Sequence, residues 1–265
     1  MDAGTIALEV LGGLVVGLSL GLIGAGGAIL SMPIFVIVLG HGTQVAILEA
    51  LVTTGVIAAF SGMRSAFAKS VDYARAAAFA LPGLAGAWVG GPLGRMLDDR
   101  AQAGLFAALA LVAAWRLLLP QPQDRAGGGD RGAVPALRGR TLAIALVTGF
   151  GIGVLTSILG VGGGFLLVPA LVLITQVPIK LAVGTSLLVI AVNSGVAFAS
   201  NARSSPEAVD GVAWSAVAIV AGFGIAGSLL GARFATRLPA GALRKAFAAA
   251  LVLVAAAVVM KTVHW

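Results

Sequence analysis

The sequence predicts an all-α polytopic membrane protein made of two homologous halves. Each half is a Gly-broken, re-entrant helical arm followed by three transmembrane helices, and the halves are inverted relative to each other. Three observations carry this prediction. First, 59% of the 265 residues are hydrophobic and only 10% are charged, where soluble domains carry about 25% charged residues. A soluble core of this size cannot hide so much apolar surface, so the solvent is a bilayer. Second, apolar runs near the length of a membrane span recur at 76–96, 101–119, 142–159, 181–200, 212–230 and 246–260. None alternates with the period of a barrel strand, and only helices and closed barrels satisfy the backbone in lipid. Third, one phrase is written twice: GLIGAGGAILSMP at 21–33 and SILGVGGGFLLVP at 157–169.

The polar, Gly/Pro-rich stretch PQPQDRAGGGDRGAVPALRGR at 120–140 reads as a linker. It divides a first membrane repeat, 1–119, from a second, 141–265. An offset of 136 residues aligns Gly13 with Gly149, Gly17 with Gly153, Gly24, Gly26 and Gly27 with Gly160, Gly162 and Gly163, and Pro33 with Pro169. Farther on, an offset of 137 aligns Gly90, Gly94 and Arg100 with Gly227, Gly231 and Arg237.

Each half opens with an arm, 5–40 or 141–176. A helix of about 19 residues, a Gly turn and a helix of about 12 would measure ~28 Å and ~18 Å. The second piece is too short for a core of about 30 Å, so the arm is expected to enter and leave on one side. Three spans follow in each half, near 43–63, 74–96 and 101–119, then 179–200, 211–234 and 241–262. The opening MDAGTIALEV lacks a basic n-region and reads as a retained membrane segment.

Three crossings per half invert the second half. Charge favours this count. Thirteen of the 17 basic residues then share one side, among them Arg64, Lys69, Arg75, the linker arginines, Lys180 and Arg233, while Arg95, Arg100, Arg203 and Lys261 lie opposite. The positive-inside rule puts the linker in the cytoplasm and both termini outside. The net charge of +7 is thus an orienting signal and not a nucleic-acid footprint. The chain has no cysteine and only His41 and His264, so no cofactor or metal site is expected. Inverted repeats with broken helices are the mark of secondary transporters.

The two Gly loops are the first candidate site. Glycine lets a ligand approach the backbone, and the helix after each loop aims its N-terminus at the break, where free N–H groups favour an anion. Gly24, Gly26, Gly27, Gly160, Gly162 and Gly163 are therefore anion-binding candidates. The alternative is that these glycines only permit close helix packing. Thr185, Ser186, Asn193 and Ser194, with Thr53 and Thr54 in the first half, offer hydroxyls and an amide to an oxyanion, or serve as interhelical glue. Lys180 is an interfacial anchor or an anion attractor, His41 a loop residue, and the tryptophans lipid-facing or packing aromatics. Glu49 lies six residues into a largely apolar span and aligns with Thr185. A charged carboxylate at a span centre costs ~2.5–3.5 kcal/mol on insertion scales, and intramembrane acids are functional candidates, often proton carriers. Glu49 is the candidate for proton coupling, the alternatives being a hydrogen-bonding acid or a partner for a basic residue.

The paired arms, with PIKLAVGTSLLVIAVNS at 178–194, resemble the sulfite exporter TauE/SafE family of membrane proteins. The resemblance covers nearly the whole chain through the duplication. It implies movement of small anions, such as sulfite and sulfonates or related organic anions, across the bacterial inner membrane. The pattern Gly184-Thr185-Ser186-Leu187 is replaced in the first half by Leu48-Glu49-Ala50-Leu51. The expected partners are a small anionic substrate, the lipid bilayer and protons, with no nucleic acid; a homo-oligomer is left open. An anion channel using the same loops is the competing function. An intramembrane enzyme lacks a thiol nucleophile and a convincing Ser–His pair, and Gly-x-Gly-Gly lacks the Lys-Ser/Thr of a P-loop.

The topology is testable because the chain is cysteine-free. A single cysteine at position 128 should react only with label applied from the cytoplasm, and cysteines at the termini only from outside. The reverse pattern overturns the assignment.

Overall fold

The computed structural model describes residues 3–24, 28–119, 137–161 and 163–235, with 245, 248, 249, 252, 253, 255–258 and 260 near the C-terminus. Gly26, Gly27, Gly162, most of the expected linker and most of the span at 241–262 lie outside the described residues. Among those described, every regular element is helical.

The first arm is α1 (Ala3–Ile23) and α2 (Ala28–Pro33), which continues into a π-helical turn, Ile34–Val38. Pro33 sits at this seam. It brings no N–H to the helical ladder, which is where a wider turn is easily admitted. Then come α3 (Thr43–Phe67), α4 (Tyr73–Arg95) and α5 (Asp99–Leu118). The second arm is α6 (Arg140–Leu159) and α7 (Gly164–Thr175). It is followed by α8 (Ile179–Ser204), the short α9 (Pro206–Asp210) and α10 (Trp214–Phe234). Six of these, α1, α3, α4, α6, α8 and α10, are long and apolar enough to cross a membrane. The expected span at 101–119 is α5, within which Arg100–Val112 forms a continuous described apolar stretch. Leu11, Leu81 and Val147 are more than half exposed, and on a membrane helix such side chains face lipid.

Small residues set how the helices cross. Gly13, Gly17 and Gly21 of α1 face Val220, Gly224 and Ser228 of α10 in step, so these helices run parallel. Gly149 and Gly153 of α6 face Phe79 and Gly83 of α4 in the same way. A Cβ at Gly13 would stand 2.5 Å from the Val220 carbonyl oxygen, and one at Gly149 2.5 Å from that of Phe79. Backbone touches backbone at both crossings, the usual reason for small residues between membrane helices. Ile57 and Ser61 of α3 meet Gly224 and Ser228 of α10, so α3 runs with α1 and α10. Gly83 and Gly91 of α4 meet Asn193 and Ser200 of α8, so α8 runs with α4 and α6. The two sets meet where α3 and α8 cross antiparallel: Gly55 lies against Ser194 and Gly62 against Leu188.

These contacts also adjust the sequence alignment. Gly86 and Gly90 abut Phe150 and Val154 of α6, as Gly227 and Gly231 abut Leu14 and Leu18 of α1. The contacts therefore equate Gly86 with Gly227 and Gly90 with Gly231, an offset of 141 in place of 137 and one helical turn from the expected match. The reason is α9, five residues long. Thr43 and Ile179, the starts of α3 and α8, are 136 apart, and Tyr73 and Trp214, the starts of α4 and α10, are 141 apart.

The crossings predict the effect of added methyl groups. Gly17→Ala and Gly153→Ala drive a Cβ into the carbonyls of Gly224 and Gly83, and each should cost about 1–3 kcal/mol. Gly222→Ala, which enters open space on α10, should change stability by less than about 0.5 kcal/mol. Thermal unfolding in detergent measures both. Equal stability of the Gly17 and Gly222 variants would show that the crossing is not close-packed.

Candidate functional site

Both Gly loops reach into the opposite half of the molecule. α1 ends at Gly24, whose φ of 84° belongs to glycine, and its N–H donates to the Leu20 carbonyl at 2.8 Å. Gly24 packs on Val183 in the second turn of α8. α6 ends at Gly160, with φ of 63°, which packs on Ile47 in the second turn of α3. Ile47 and Val183 are again 136 residues apart. Gly163, the N-cap of α7, abuts Thr156 and Ile152. The short helices α2 and α7 touch each other.

Glu49 is fully buried in the second turn of α3. Its Oε1 accepts the Ala213 N–H at 2.9 Å. Its Oε2 lies 2.5 Å from His41 Nδ1, a separation that requires a proton between them. Glu9 of α1 is 3% exposed, and its Oε2 has no hydrogen-bond partner among the described residues. His41 is 26% exposed and is the most accessible member of this group. The cluster lies where α1, α3 and α10 begin.

Thr185 explains half of this arrangement. Its Oγ1 accepts the Asp72 N–H at 2.9 Å. Asp72 and Ala213 are the N-caps of α4 and α10, related by the offset of 141, as Glu49 and Thr185 are by 136. One contact is therefore made twice. A side chain in the second turn of α3 or α8 accepts a backbone N–H at the start of α10 or α4. Asp72 also caps α4 itself, accepting the Arg75 N–H at 3.0 Å and forming an ion pair with the Arg75 guanidinium. Ala213 has no acceptor to offer α10. Glu49 thus does the duty of Thr185 with one oxygen and keeps the other for His41.

The other polar candidates separate into two groups. Ser186 donates to the Val183 carbonyl at 2.8 Å, and Thr54 pairs with Ser31 at 2.6 Å. Ser200 donates to the Trp88 carbonyl at 2.6 Å, and Asn201 to both oxygens of Ser157. These act as glue between or within helices in this conformation. Thr53, Asn193 and Ser194 are different. They are 0, 1 and 0% exposed, and the Thr53 hydroxyl, both polar atoms of the Asn193 amide and the Ser194 hydroxyl make no hydrogen bond among the described residues. Leaving such a group unsatisfied costs about 1–3 kcal/mol. Asn193 presses against Gly83, where the matching pair in the other half is Ile57 against Gly224.

Sequence reasoning missed Glu9 and the pairing of His41. The signal for each was an ionisable residue in or beside an apolar helix, Glu9 within α1 and His41 eight residues before the acid of α3. Lys180 is exposed at the start of α8, and Trp88, Trp115 and Trp214 are about half exposed. Among the described residues no cluster of three or more His, Asp or Glu is suited to a metal ion.

The family described as Sulfite exporter TauE/SafE matches residues 9–258. The chain is 34% identical over 232 residues to a probable membrane transporter protein of Xylella fastidiosa, covering 86% of this chain and 84% of that one. A probable membrane transporter protein of Bacillus subtilis is 28% identical over 199 residues, 69% of this chain and 72% of its own. One from Methanocaldococcus jannaschii is 40% identical over 67 residues, 23% of this chain and 25% of its own. No solved structure matches. With broken arms, six helices fit to span a bilayer and a family match over nearly its whole length, the chain belongs to the TauE/SafE family of membrane transporters.

Proposed function

We propose that the protein is a secondary transporter, in the export direction, of small anions such as sulfite, sulfonates or related organic anions, in the bacterial inner membrane. The observation that carries the reading is the exchange of helix directions between the halves. The correspondence of α1 with α6, α3 with α8 and α4 with α10 takes the parallel set α1, α3 and α10 into the opposed set α6, α8 and α4. This exchange supports inverted repeats, and the interface of such repeats, here the α3–α8 crossing, is where secondary transporters hold substrate. Each broken arm places its loop on the central helix of the other half, so rocking one half carries the other half's loop with it. The loops around Gly24, Gly26 and Gly27 and around Gly160, Gly162 and Gly163 flank that crossing, one towards each end, and offer backbone N–H groups to an anion entering or leaving it.

Glu49 couples this movement to protons. It binds the start of α10 through Oε1 and shares a proton with His41 through Oε2. A buried carboxyl joined to a partly exposed imidazole links the membrane interior to a more accessible group. An anion approaching the carboxyl favours the form that carries the proton, since like charges repel. That repulsion links the two fluxes.

The test is Glu49→Gln in proteoliposomes. Glutamine keeps an oxygen for the Ala213 N–H, so the start of α10 should stay capped. Exchange of anion for anion should survive, and accumulation driven by a pH gradient should disappear. Gradient-driven uptake that persists in Glu49→Gln would make this residue purely structural and remove the coupling.

A further inference from the structure

The second half carries an amide where the first half carries an isoleucine. Ile57 and Asn193 occupy matching places, each in the middle of a central helix and each against a glycine, Gly224 or Gly83. The Ile57 contact shows that an apolar side chain suffices for packing there. Asn193 adds two polar atoms, and both are buried without a partner. The next residue, Ser194, repeats the anomaly. Its counterpart is Ala58, its Cβ faces Gly55 of α3 and its buried hydroxyl is also unpartnered. Polar groups unpaired in the middle of a membrane protein are expensive and mark substrate paths.

We propose that Asn193 and Ser194 are the donors that hold the transported anion at the junction of α3, α4 and α8, and that they select monoanionic oxyanions. The inference rests on the transporter reading and deepens it. The selection follows from charge. Apart from Glu49, the helices meeting at this junction carry charges only at their ends: Arg64 on α3, Arg75 and Arg95 on α4, Lys180 and Arg203 on α8. A dianion in the apolar centre needs a cation beside it. A monoanion whose charge is spread over several oxygens, such as a sulfonate, bisulfite or a carboxylate, is served by neutral donors. Asn193 Nδ2 and Ser194 Oγ donate to its oxygens. Asn193 Oδ1 is left free to accept from an O–H or N–H where a ligand carries one besides its anionic oxygens. The missing side chain of Gly83 leaves bare α4 backbone against the amide, and a shift of α4 from α8 exposes it.

Purified protein in detergent is titrated with methanesulfonate, acetate, bisulfite and sulfate, and binding is read by calorimetry and thermal shift. Wild type should bind the monoanions and not sulfate. Asn193→Ile copies the first half's own contact with glycine. It should fold at least as stably as wild type and lose affinity by at least about tenfold, the effect of one hydrogen bond to a charged ligand. Ser194→Ala should weaken binding with unchanged stability. Wild-type affinity in Asn193→Ile and Ser194→Ala would overturn the site. An Asn193→Ile protein that unfolds would overturn it too, since the amide would then be structural. Sulfate binding as tight as methanesulfonate would overturn the selection. Failure of wild type to bind or transport any of these anions would instead sink the small-anion reading itself.

Discussion

Backbone-to-backbone contact between α1 and α10, and between α6 and α4, is the constraint on which the rest of the architecture depends. In lipid there is no hydrophobic drive between helices, so close approach and dispersion must hold them. Gly17 against Gly224 and Gly153 against Gly83 bring the chains together with no side chain between. Each pair joins an arm of one half to the last described long helix of the other or to its equivalent. The arms are thereby fixed, and their turns at Gly24 and Gly160 land on Val183 and Ile47 of the central helices.

The helix starts are the second consequence. α4 and α10 begin beside the central helices, and their first N–H groups have no partner within the helix. Thr185 and Glu49 supply the acceptors at Asp72 and Ala213. A hydroxyl is enough for α4, because Asp72 caps the helix with its own side chain. The carboxylate at α10 exceeds what capping needs, and its second oxygen meets His41. The structural need fixes where the acid sits, and the surplus oxygen gives it chemistry.

Much of this was legible in the sequence. The apolar runs gave the long helices because lipid allows the backbone little else, and the doubled Gly phrase gave the broken arms. The offset of 136 was readable from Gly13, Gly17 and Pro33, since no insertion falls between α1 and α8. Beyond α8 it was not. The five residues of α9 look like any polar loop, and a glycine every fourth residue in α4 and α10 matches equally well one turn out of register. The candidate site was legible at Glu49 and Asn193, polar residues in apolar runs. What distinguished Asn193 from Ser186 and Thr185 was not legible. Whether a hydroxyl finds a carbonyl on its own helix, as Ser186 does at Val183, or accepts from another helix, as Thr185 does, is decided by rotamer and crossing geometry. His41 was hidden for a similar reason. Its loop folds back over the start of α3, and nothing in a period of 3.6 residues reports that.

A duplicated fold contains its own control. Where both halves keep the same kind of contact, as at Gly17 on Gly224 and Gly153 on Gly83, the residue is accounted for by architecture. Where the halves diverge, packing alone does not explain the choice, because the other half packs without it. Two divergences stand out by their cost. Glu49 replaces a hydroxyl with an acid and draws in His41 near one end of α3. Asn193 and Ser194 replace Ile57 and Ala58 with unpaired donors in the middle of α8. The first half thus carries the ionisable group and the second the neutral donors, and the two lie on the helices that cross at the centre. An arrangement symmetric in chemistry would carry each of them twice. Divergence on a symmetric frame leaves one acid, and one pair of neutral donors that are unpartnered among the described residues.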